Sequence, residues 1–412
     1  MSDGEIEVVK MISKRNISTN RTLKLKSFAT VEARHRVPGT TFIVDGFRYK
    51  NAVTNHYFLT HYHSDHFCGV TKCFNLGKIV CSPLTASLLQ KDFRVTDQNL
   101  VIVLPGSSIT LEGVLIHVFD ANHCPGSLMF VFHVKKQTYV HTGDFRFEKR
   151  KMQQFLDYIN NYRVRTVFLD CTYLLNRVAH PPQNPVCNFL LNSVRFHRMR
   201  TVIHKDTEVP ARPLFVIGAY TIGKERLVEY LIKHEAIKEV FLTGEHRRIV
   251  FTDLGISHIY IELDISHNGR GVTYQGEYRS DVLFTNLKDT SYVHAQRLLE
   301  FFPQFNQVIS YQPSGWSYVI PKRLNQTKER YIFYKLPYSE HCASNELTAF
   351  VNAVNPKYIV PITECDPVLL AQLKDTKKRQ NNCKTLHHFF SNDKKKRRKS
   401  EVGEKKQKII VL

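Results

Sequence analysis

The segment from Leu59 to Phe67 reads LTHYHSDHF and places three histidines and an aspartate within six positions. Imidazole nitrogens and carboxylate oxygens are the ligands of catalytic zinc sites, which keep one position open for water. A buried structural histidine usually occurs singly, so the H-x-H-x-D-H spacing indicates a metal site rather than a core residue. The candidate ligands in this segment are His61, His63, Asp65 and His66.

Three polar residues that follow later predicted strands could complete the site, because one segment cannot enclose a metal ion alone. They are His123, Asp144 and His341. Taken singly, each could be a capping aspartate or a hydrogen-bonded loop histidine. With the first segment they supply five histidines and two carboxylates, enough for one or two zinc ions with Asp144 as the bridge. Zinc in such a site makes water a nucleophile at neutral pH and stabilises a leaving oxygen.

The elements that position these residues are short strands separated by polar turns. The candidates are Tyr57–Thr60, Val101–Leu104, Val114–Asp120, Ser127–Val134, Tyr139–Thr142 and Val167–Asp170. From Leu174 onward, buried-type strands alternate with amphipathic helices such as Lys224–His234, which predicts an inserted α/β domain. We therefore divide the chain into a flexible N-terminus (1–34), a first domain (35–173), an insertion (174–330), a return segment to the first domain (331–373) and a basic disordered tail (374–412).

The composition is that of a globular protein, with 42% hydrophobic and 23% charged residues among 412. No stretch of about 18 apolar residues occurs and the N-terminus lacks a signal-peptide core, so we expect neither secretion nor a membrane partner. The nine cysteines form no C-x-x-C pair. Their scattered spacing favours buried thiols in a reducing compartment over a disulfide framework or a zinc ribbon.

The net charge of +21 is shared between the tail and the body of the chain. Residues 374–412 contain 14 basic and 4 acidic side chains, a charge of +10, so +11 remains on the body. Surplus Lys and Arg could serve solubility alone, but a basic body favours a polyanionic partner, above all a nucleic acid.

A possible phosphate site lies in GAYTIGKE, the segment Gly218–Glu225. A glycine-flanked turn that leads into a helix presents free backbone N–H groups, and Thr221 and Lys224 add donors. The alternative is an ordinary strand–turn–helix connection.

Two short motifs stand in the tail. The basic run of Lys394, Lys395, Lys396, Arg397, Arg398 and Lys399 predicts nuclear import or a DNA-binding arm, although it could be a solvated charge run. Upstream, CKTLHHFF places Leu386 before the paired Phe389 and Phe390. This spacing resembles a sliding-clamp-binding motif, with Cys383 where a leading Gln is usual.

In order along the chain, H-x-H-x-D-H, ANHCPG and TGDF resemble the metallo-β-lactamase fold. FIVDGF, LDCTY, GAYTIGKE, PSGW and PYSEH further resemble its β-CASP branch, in particular the DNA interstrand cross-link repair nucleases, the group that includes Apollo and Artemis. The resemblance covers roughly residues 35–372. It implies an α/β protein in which an αββα metallo-β-lactamase sandwich is interrupted by an inserted α/β β-CASP domain.

The resemblance also implies roles for single residues. His61, His63 and His123 would hold one zinc ion, with Asp144 bridging to a second that Asp65, His66 and His341 complete. Asp170 would orient a ligand or the attacking water, so that Asp65, His341 and Asp170 form the catalytic set. Asp45 would support the histidine segment, and the turn with Thr221 and Lys224 would receive a substrate 5′-phosphate.

These features predict a nuclear, monomeric, zinc-dependent 5′→3′ DNA exonuclease of cross-link repair, acting on single-stranded DNA or a free 5′ end and preferring a 5′-phosphate. A telomere end-processing nuclease of the Apollo type and a catalytically silent DNA-binding repair scaffold are the alternatives. RNA-cleaving β-CASP enzymes carry a further histidine after the strand that follows SEH. KYIVPITECD has none, which favours DNA.

Overall fold

The computed structural model describes residues 31–49, 54–174, 180–261, 280–317, 319–321 and 329–373. Within these ranges no helix has the length and apolar character needed to cross a membrane. The predicted tail, and nearly all of the predicted N-terminal segment, lie outside them.

Two sheets pack face to face in the first part of the chain. The first is fully parallel and has the order β1–β2–β3–β4, formed by Ile43–Val44 (β1), His56–Phe58 (β2), Lys78–Cys81 (β3) and Leu100–Ile102 (β4). The second has the order β18–β9–β8–β7–β6–β5, formed by Ser108–Leu111 (β5), Val114–Asp120 (β6), Leu128–Val134 (β7), Gln137–His141 (β8), Val164–Leu169 (β9) and Tyr358–Pro361 (β18).

Aromatic side chains fill the space between these two sheets. The ring of Phe58 on β2 contacts Phe130 and Phe132 on β7, with ring centroids 5.2 and 5.1 Å apart, and all three are fully buried. Edge-on aromatic pairs of this kind add to the stabilisation from apolar burial. Just beyond β2, the carbonyl of Thr60 accepts a hydrogen bond from Leu128 N. The packing therefore fixes the point at which the histidine segment leaves the sheet.

Helices cover the outer faces of both sheets. Pro83–Phe93 (α1) packs on the first sheet, whereas Gln153–Ile159 (α2), Ser344–Val354 (α7) and Pro367–Gln372 (α8) cover the second. Ser82 caps α1 by accepting from Thr85 N, and the left-handed Arg94 ends it. The layer order is helix, sheet, sheet, helix, so the predicted αββα sandwich is confirmed.

A third sheet forms the inserted α/β layer. Its six strands are all parallel in the order β14–β13–β15–β12–β16–β17, and they are Pro213–Ala219 (β12), Val240–Leu242 (β13), His258–Tyr260 (β14), Val282–Asn286 (β15), Gln307–Pro313 (β16) and Tyr331–Leu336 (β17). Its helices are Gln183–Arg198 (α3), Glu225–Lys233 (α4), Glu245–Asp253 (α5) and Tyr292–Phe301 (α6), and a hairpin joins Thr201–His204 (β10) to Thr207–Pro210 (β11). Helices on both faces are typical of parallel sheets.

The strand β17 differs from the sequence-based expectation. We placed it in the return segment to the first domain, but it pairs in parallel with β16 along its whole length and is an edge strand of the third sheet. The chain rejoins the first two layers only beyond Leu336, through α7 and then β18, which pairs with β9. The other divisions of the chain stay a prediction.

Candidate metal centre

Four imidazole nitrogens surround one carboxylate oxygen, Oδ2 of Asp144. The Nε2 atoms lie 3.3 Å from it in His66, 3.6 Å in His61, 3.8 Å in His123 and 3.9 Å in His341. Zinc–nitrogen bonds of about 2.0–2.1 Å in a tetrahedral shell place neighbouring ligand atoms about 3.3 Å apart. The spacing therefore suits ligands that share metal ions.

A fifth histidine joins the cluster through its other nitrogen. Nδ1 of His63 lies 2.8 Å from Nε2 of His61 and 3.2 Å from Nε2 of His123. Burial lowers the pKa of all three side chains, and well below the ordinary value in His61 and His123. Each ring is therefore neutral and carries one proton, because desolvation disfavours the imidazolium.

That single proton is donated away from the centre in each ring. The acceptors are Ile222 O for His63 at 3.1 Å, Glu340 O for His123 at 3.0 Å and Thr60 Oγ1 for His61 at 3.0 Å. The nitrogens that face one another thus hold lone pairs and no hydrogen. Three converging lone pairs repel unless they share a cation, so the arrangement fits a bound metal ion.

The remaining two histidines each have a carboxylate behind them. His66 Nδ1 donates to Asp45 Oδ2 at 2.8 Å, and His341 Nδ1 donates to Asp170 Oδ2 at 2.7 Å. Although burial acts in the opposite direction, Asp144 and Asp45 raise the pKa of His66 well above its ordinary value. Likewise, Asp170 and Asp144 raise the pKa of His341 to about 9. Without a cation both rings therefore hold a second proton on Nε2. A metal ion that replaced this proton would find Nε2 oriented by the hydrogen bond from Nδ1 to the carboxylate.

Asp144 itself fits a bridging role. Burial alone would raise its pKa, but His66 and His341 hold it well below the ordinary value, so the side chain is ionised. Its Oδ1 is buried and has no hydrogen-bond partner in the described part of the chain. An uncompensated buried oxygen of this kind is expected where a cation binds. The His and Asp groups are thus able to hold metal ions, as three overlapping sets.

Cys124 belongs to one of these sets, together with His61, His63 and His123. Burial, together with the neighbouring carboxylate of Glu340, raises the pKa of its thiol well above the ordinary value. Without a cation Cys124 is therefore a neutral thiol, whereas a bound cation would favour the thiolate.

Asp65 is the exception to this burial. Its side chain is 78% exposed, and its Oδ2 lies 3.7 Å from Nε2 of His66. A carboxylate that is open to solvent at the edge of a metal cluster lies where water can reach it. The exposed position of Asp65 agrees better with a role in orienting the attacking water than with a purely structural role.

A close approach of two strand ends brings the histidine segment and Asp144 together. A Cβ on Gly143 would lie 2.7 Å from Cβ of Thr60, and Gly143 has a left-handed φ of +54°. Only glycine tolerates both conditions. Thr60 in turn donates from Oγ1 to Asp45 Oδ2 at 2.7 Å, so the supporting carboxylate is fixed by the same turn.

Only one of the two predicted phosphate-binding residues is exposed to solvent. Thr221 is exposed, but Lys224 is buried and has a left-handed φ of +77°. Its backbone N donates to Glu340 Oε1 at 2.8 Å, and its Nζ donates to Glu340 Oε2 at 3.1 Å. The ammonium group therefore has an internal partner, and a substrate phosphate would have to compete with it.

Several residues at the site were not foreseen from the sequence. They are Thr60, Ile222 and Glu340, whose oxygens set the histidine tautomers, and Tyr173, whose ring lies 5.7 Å from that of His341. Glu340 immediately precedes His341 in PYSEH, and Thr60 immediately precedes the histidine segment. Adjacency to a candidate ligand was the available signal. The tail residues Leu386, Phe389 and Phe390 and the run Lys394 to Lys399 lie outside the described residues.

Glu225, next to the buried pair, gives a pH-dependent prediction. Burial and then the charge of Glu340 raise the pKa of Glu225 to about 8, and its Oε2 has no hydrogen-bond partner among the described residues. The unfolded carboxyl ionises near 4.5, so stability falls as the pH rises from 4.5 to 8. We expect Glu225→Gln to be near neutral at pH 5 and stabilising by about 2 kcal/mol at pH 8.5, measured as a rise in Tm. Glu229→Gln on the same helix is the control variant, measured at the same two pH values. Equal effects at both pH values would contradict this assignment.

The chain is similar to proteins of DNA repair. Residues 274–367 match the family described as DNA repair metallo-beta-lactamase. Over 335 residues the chain is 31% identical to the DNA cross-link repair protein SNM1 of Arabidopsis thaliana, with 79% of this chain and 64% of that protein covered. It is 30% identical over 333 residues to the DNA cross-link repair 1A protein of Gallus gallus, with 79% of this chain and 32% of that protein covered.

A further relative is the 5′ exonuclease Apollo of Rattus norvegicus, 26% identical over 339 residues with 80% of this chain and 55% of that protein covered. The chain thus spans less than two thirds of the length of each of these relatives. Among solved structures, a protein of unknown function from Enterococcus faecalis V583 has a TM-score of 0.50 at 14% identity, with 74% of this chain and 75% of that one covered. That likeness shows the fold alone.

Proposed function

The chain belongs to the metallo-β-lactamase/β-CASP family of DNA cross-link repair proteins, and from that premise we propose that it is a zinc-dependent 5′→3′ DNA exonuclease that acts in interstrand cross-link repair. The observation that carries the proposal is the cluster of five imidazoles around Asp144, three of which turn lone pairs toward one another, with an exposed carboxylate at its edge. A scaffold would have no use for five oriented histidines.

Four groups would hold a first zinc ion: His61 Nε2, His63 Nδ1, His123 Nε2 and Asp144 Oδ2. A second would use His66, His341, Asp144 and Asp65. When bound, zinc supplies Lewis-acid activation of water and charge stabilisation of the phosphoryl oxygens. The ligand set contains imidazoles and carboxylates and no thiolate, which is the donor set of catalytic rather than structural zinc.

The carboxylates of the site have separate roles in the proposed reaction. Asp65 accepts a proton from the attacking water at its exposed carboxylate, while Asp45 and Asp170 hold the rings of His66 and His341 in the required orientation. Thr221 is exposed on the turn whose Ile222 carbonyl contacts His63, so a terminal 5′-phosphate that binds there would sit beside the cluster. End-dependent cleavage from the 5′ side would follow.

The test uses 3′-labelled single-stranded DNA with either a 5′-phosphate or a 5′-hydroxyl. We expect a ladder that shortens from the 5′ end, is faster with the phosphate, disappears with a chelator and returns with zinc. Asp65→Ala should abolish the ladder, whereas Asp253→Ala, at an exposed position at the end of α5, should leave it intact. DNA binding is followed in parallel by fluorescence anisotropy. Binding by the zinc-loaded protein with no cleavage would favour the scaffold instead.

Nuclear localisation, import through the basic run and clamp binding through Leu386, Phe389 and Phe390 are proposals that rest on the sequence. A chain that ends at residue 373 would test all three. It should cleave DNA but lose nuclear accumulation and clamp binding.

A further inference from the structure

An exposed tryptophan stands at the rim of the metal cluster. Trp316 is the only tryptophan of the chain and is 64% exposed. Its ring contacts Tyr173 edge-on, with centroids 5.4 Å apart and planes inclined by 69°. The ring of Tyr173 in turn lies 5.7 Å from that of His341. The indole is therefore two ring contacts away from a candidate metal ligand.

The turn that carries Trp316 is held firmly to the sheet. Ser314 N donates to Leu336 O, where β17 ends, and Ser314 Oγ accepts from Trp316 N at 3.1 Å. A Cβ on Gly315 would lie 1.9 Å from Oη of Tyr173, so the turn and the tyrosine are in direct contact and only glycine fits. The indole is thus presented to solvent at a fixed place by its supports.

A rigid, exposed indole beside a polar site is suited to a flat, apolar ligand surface. A nucleobase offers such a face, and stacking on an aromatic side chain accepts every base because each has a π face. A body charge of +11 favours the strand to which that base belongs. Inside a duplex both faces of each base are stacked on its neighbours, so only an unpaired base or the terminal pair can reach the indole.

We propose that Trp316, braced by Tyr173, is a stacking platform for an unpaired base of the DNA strand whose phosphate occupies the metal cluster. This inference rests on the proposed nuclease function and assigns a residue to the predicted preference for single-stranded DNA. The contact is independent of base identity, so it confers strand selectivity without sequence selectivity.

Since the chain has one tryptophan, the tryptophan emission, excited selectively over that of the tyrosines, reports on this position alone. We would titrate the full-length Asp65→Ala protein with a single-stranded oligonucleotide, and with abasic and fully duplex versions of the same length. The expected result is quenching of tryptophan emission by the single strand, and little quenching by the abasic strand. Binding of all three DNAs would be measured separately by anisotropy.

Variants provide the second measurement. Trp316→Ala should weaken single-strand binding and raise KM about 5- to 100-fold, while Trp316→Phe keeps most of the affinity. Tyr292→Ala is the matched control, because Tyr292 is 58% exposed on the same layer but contacts Tyr331 and Phe333. It should change neither quantity.

The outcomes separate this inference from the proposed function. Single-strand binding without quenching, together with unchanged affinity in Trp316→Ala, would overturn the stacking platform even if cleavage is normal. Base-dependent quenching, together with no DNA cleavage by the zinc-loaded wild-type protein, would keep the platform and remove the exonuclease. Equal quenching by intact and abasic strands would also refute the platform, because the emission change would then report the backbone rather than a base.

Discussion

Asp144→Asn is expected to lower both the retained zinc and the rate of DNA cleavage by at least 100-fold. The carboxylate oxygen Oδ2 is the atom shared by four imidazoles at 3.3–3.9 Å. Asparagine keeps the size of the side chain but removes the negative charge that a bridging ligand must supply. Mutation of residues that only support metal ligands already costs about 10- to 100-fold, so loss of the bridge should cost at least that much.

Metal content after dialysis, cleavage rate and circular dichroism would be measured on the same preparation. Asp157→Asn, at an exposed position on α2, is the matched control and should retain full activity. A correctly folded Asp144→Asn protein with wild-type zinc and a rate within tenfold of wild type would remove Asp144 from the bridging role.

Breaking the buried ion pair between Lys224 and Glu340 is expected to have the second large effect. Both side chains are buried, and Glu340 accepts from the backbone and the ammonium of Lys224. Glu340→Gln keeps a partner for the backbone but leaves the ammonium uncompensated, which costs about 3–5 kcal/mol of stability. Lys224→Met combined with Glu340→Gln should cost much less than the sum of the two single changes.

The same pair holds two metal-ligand candidates in place. Ile222, two positions before Lys224, accepts from His63, and the carbonyl of Glu340 accepts from His123. We therefore expect Glu340→Gln to weaken zinc affinity about 10- to 100-fold in addition to its effect on stability. Glu300→Gln, on the exposed face of α6, is the control. Unaltered zinc affinity in a destabilised Glu340→Gln protein would restrict the pair to a structural role.

The stability that this ion pair contributes should be lost over a defined range of acidic pH. Although burial opposes it, Lys224 lowers the pKa of Glu340 to about 2, below the ordinary value of 4.5. The stabilisation is complete above pH 4.5 and is lost as the pH falls from 4.5 to 2, because protonation removes the charge. In the double variant, Tm should depend less on pH across this interval than in the wild type.

Much of the fold was predictable because it rests on short-range patterns. The predicted strands Val114–Asp120 and Ser127–Val134 match β6 and β7 within one residue, since both are rich in β-branched and aromatic residues, which favour strands. The predicted helix over Lys224–His234 corresponds to α4, whose apolar side chains share one face. The point at which the chain returns to the first two layers was harder to predict. The sequence of β17 does not show whether it pairs with the second or the third sheet.

The sequence by itself determined the candidate ligands, since the H-x-H-x-D-H spacing and the polar residues after strands are local features. Only the tertiary structure decided how they meet. His123 and His63 are 60 positions apart, and His341 and Asp170 are 171 apart, so packing of the layers sets which nitrogen of each ring faces the centre of the cluster. The tertiary structure also pairs the ammonium group of Lys224 with Glu340 instead of exposing it to solvent. A buried charge requires a partner, and only the folded chain supplies one.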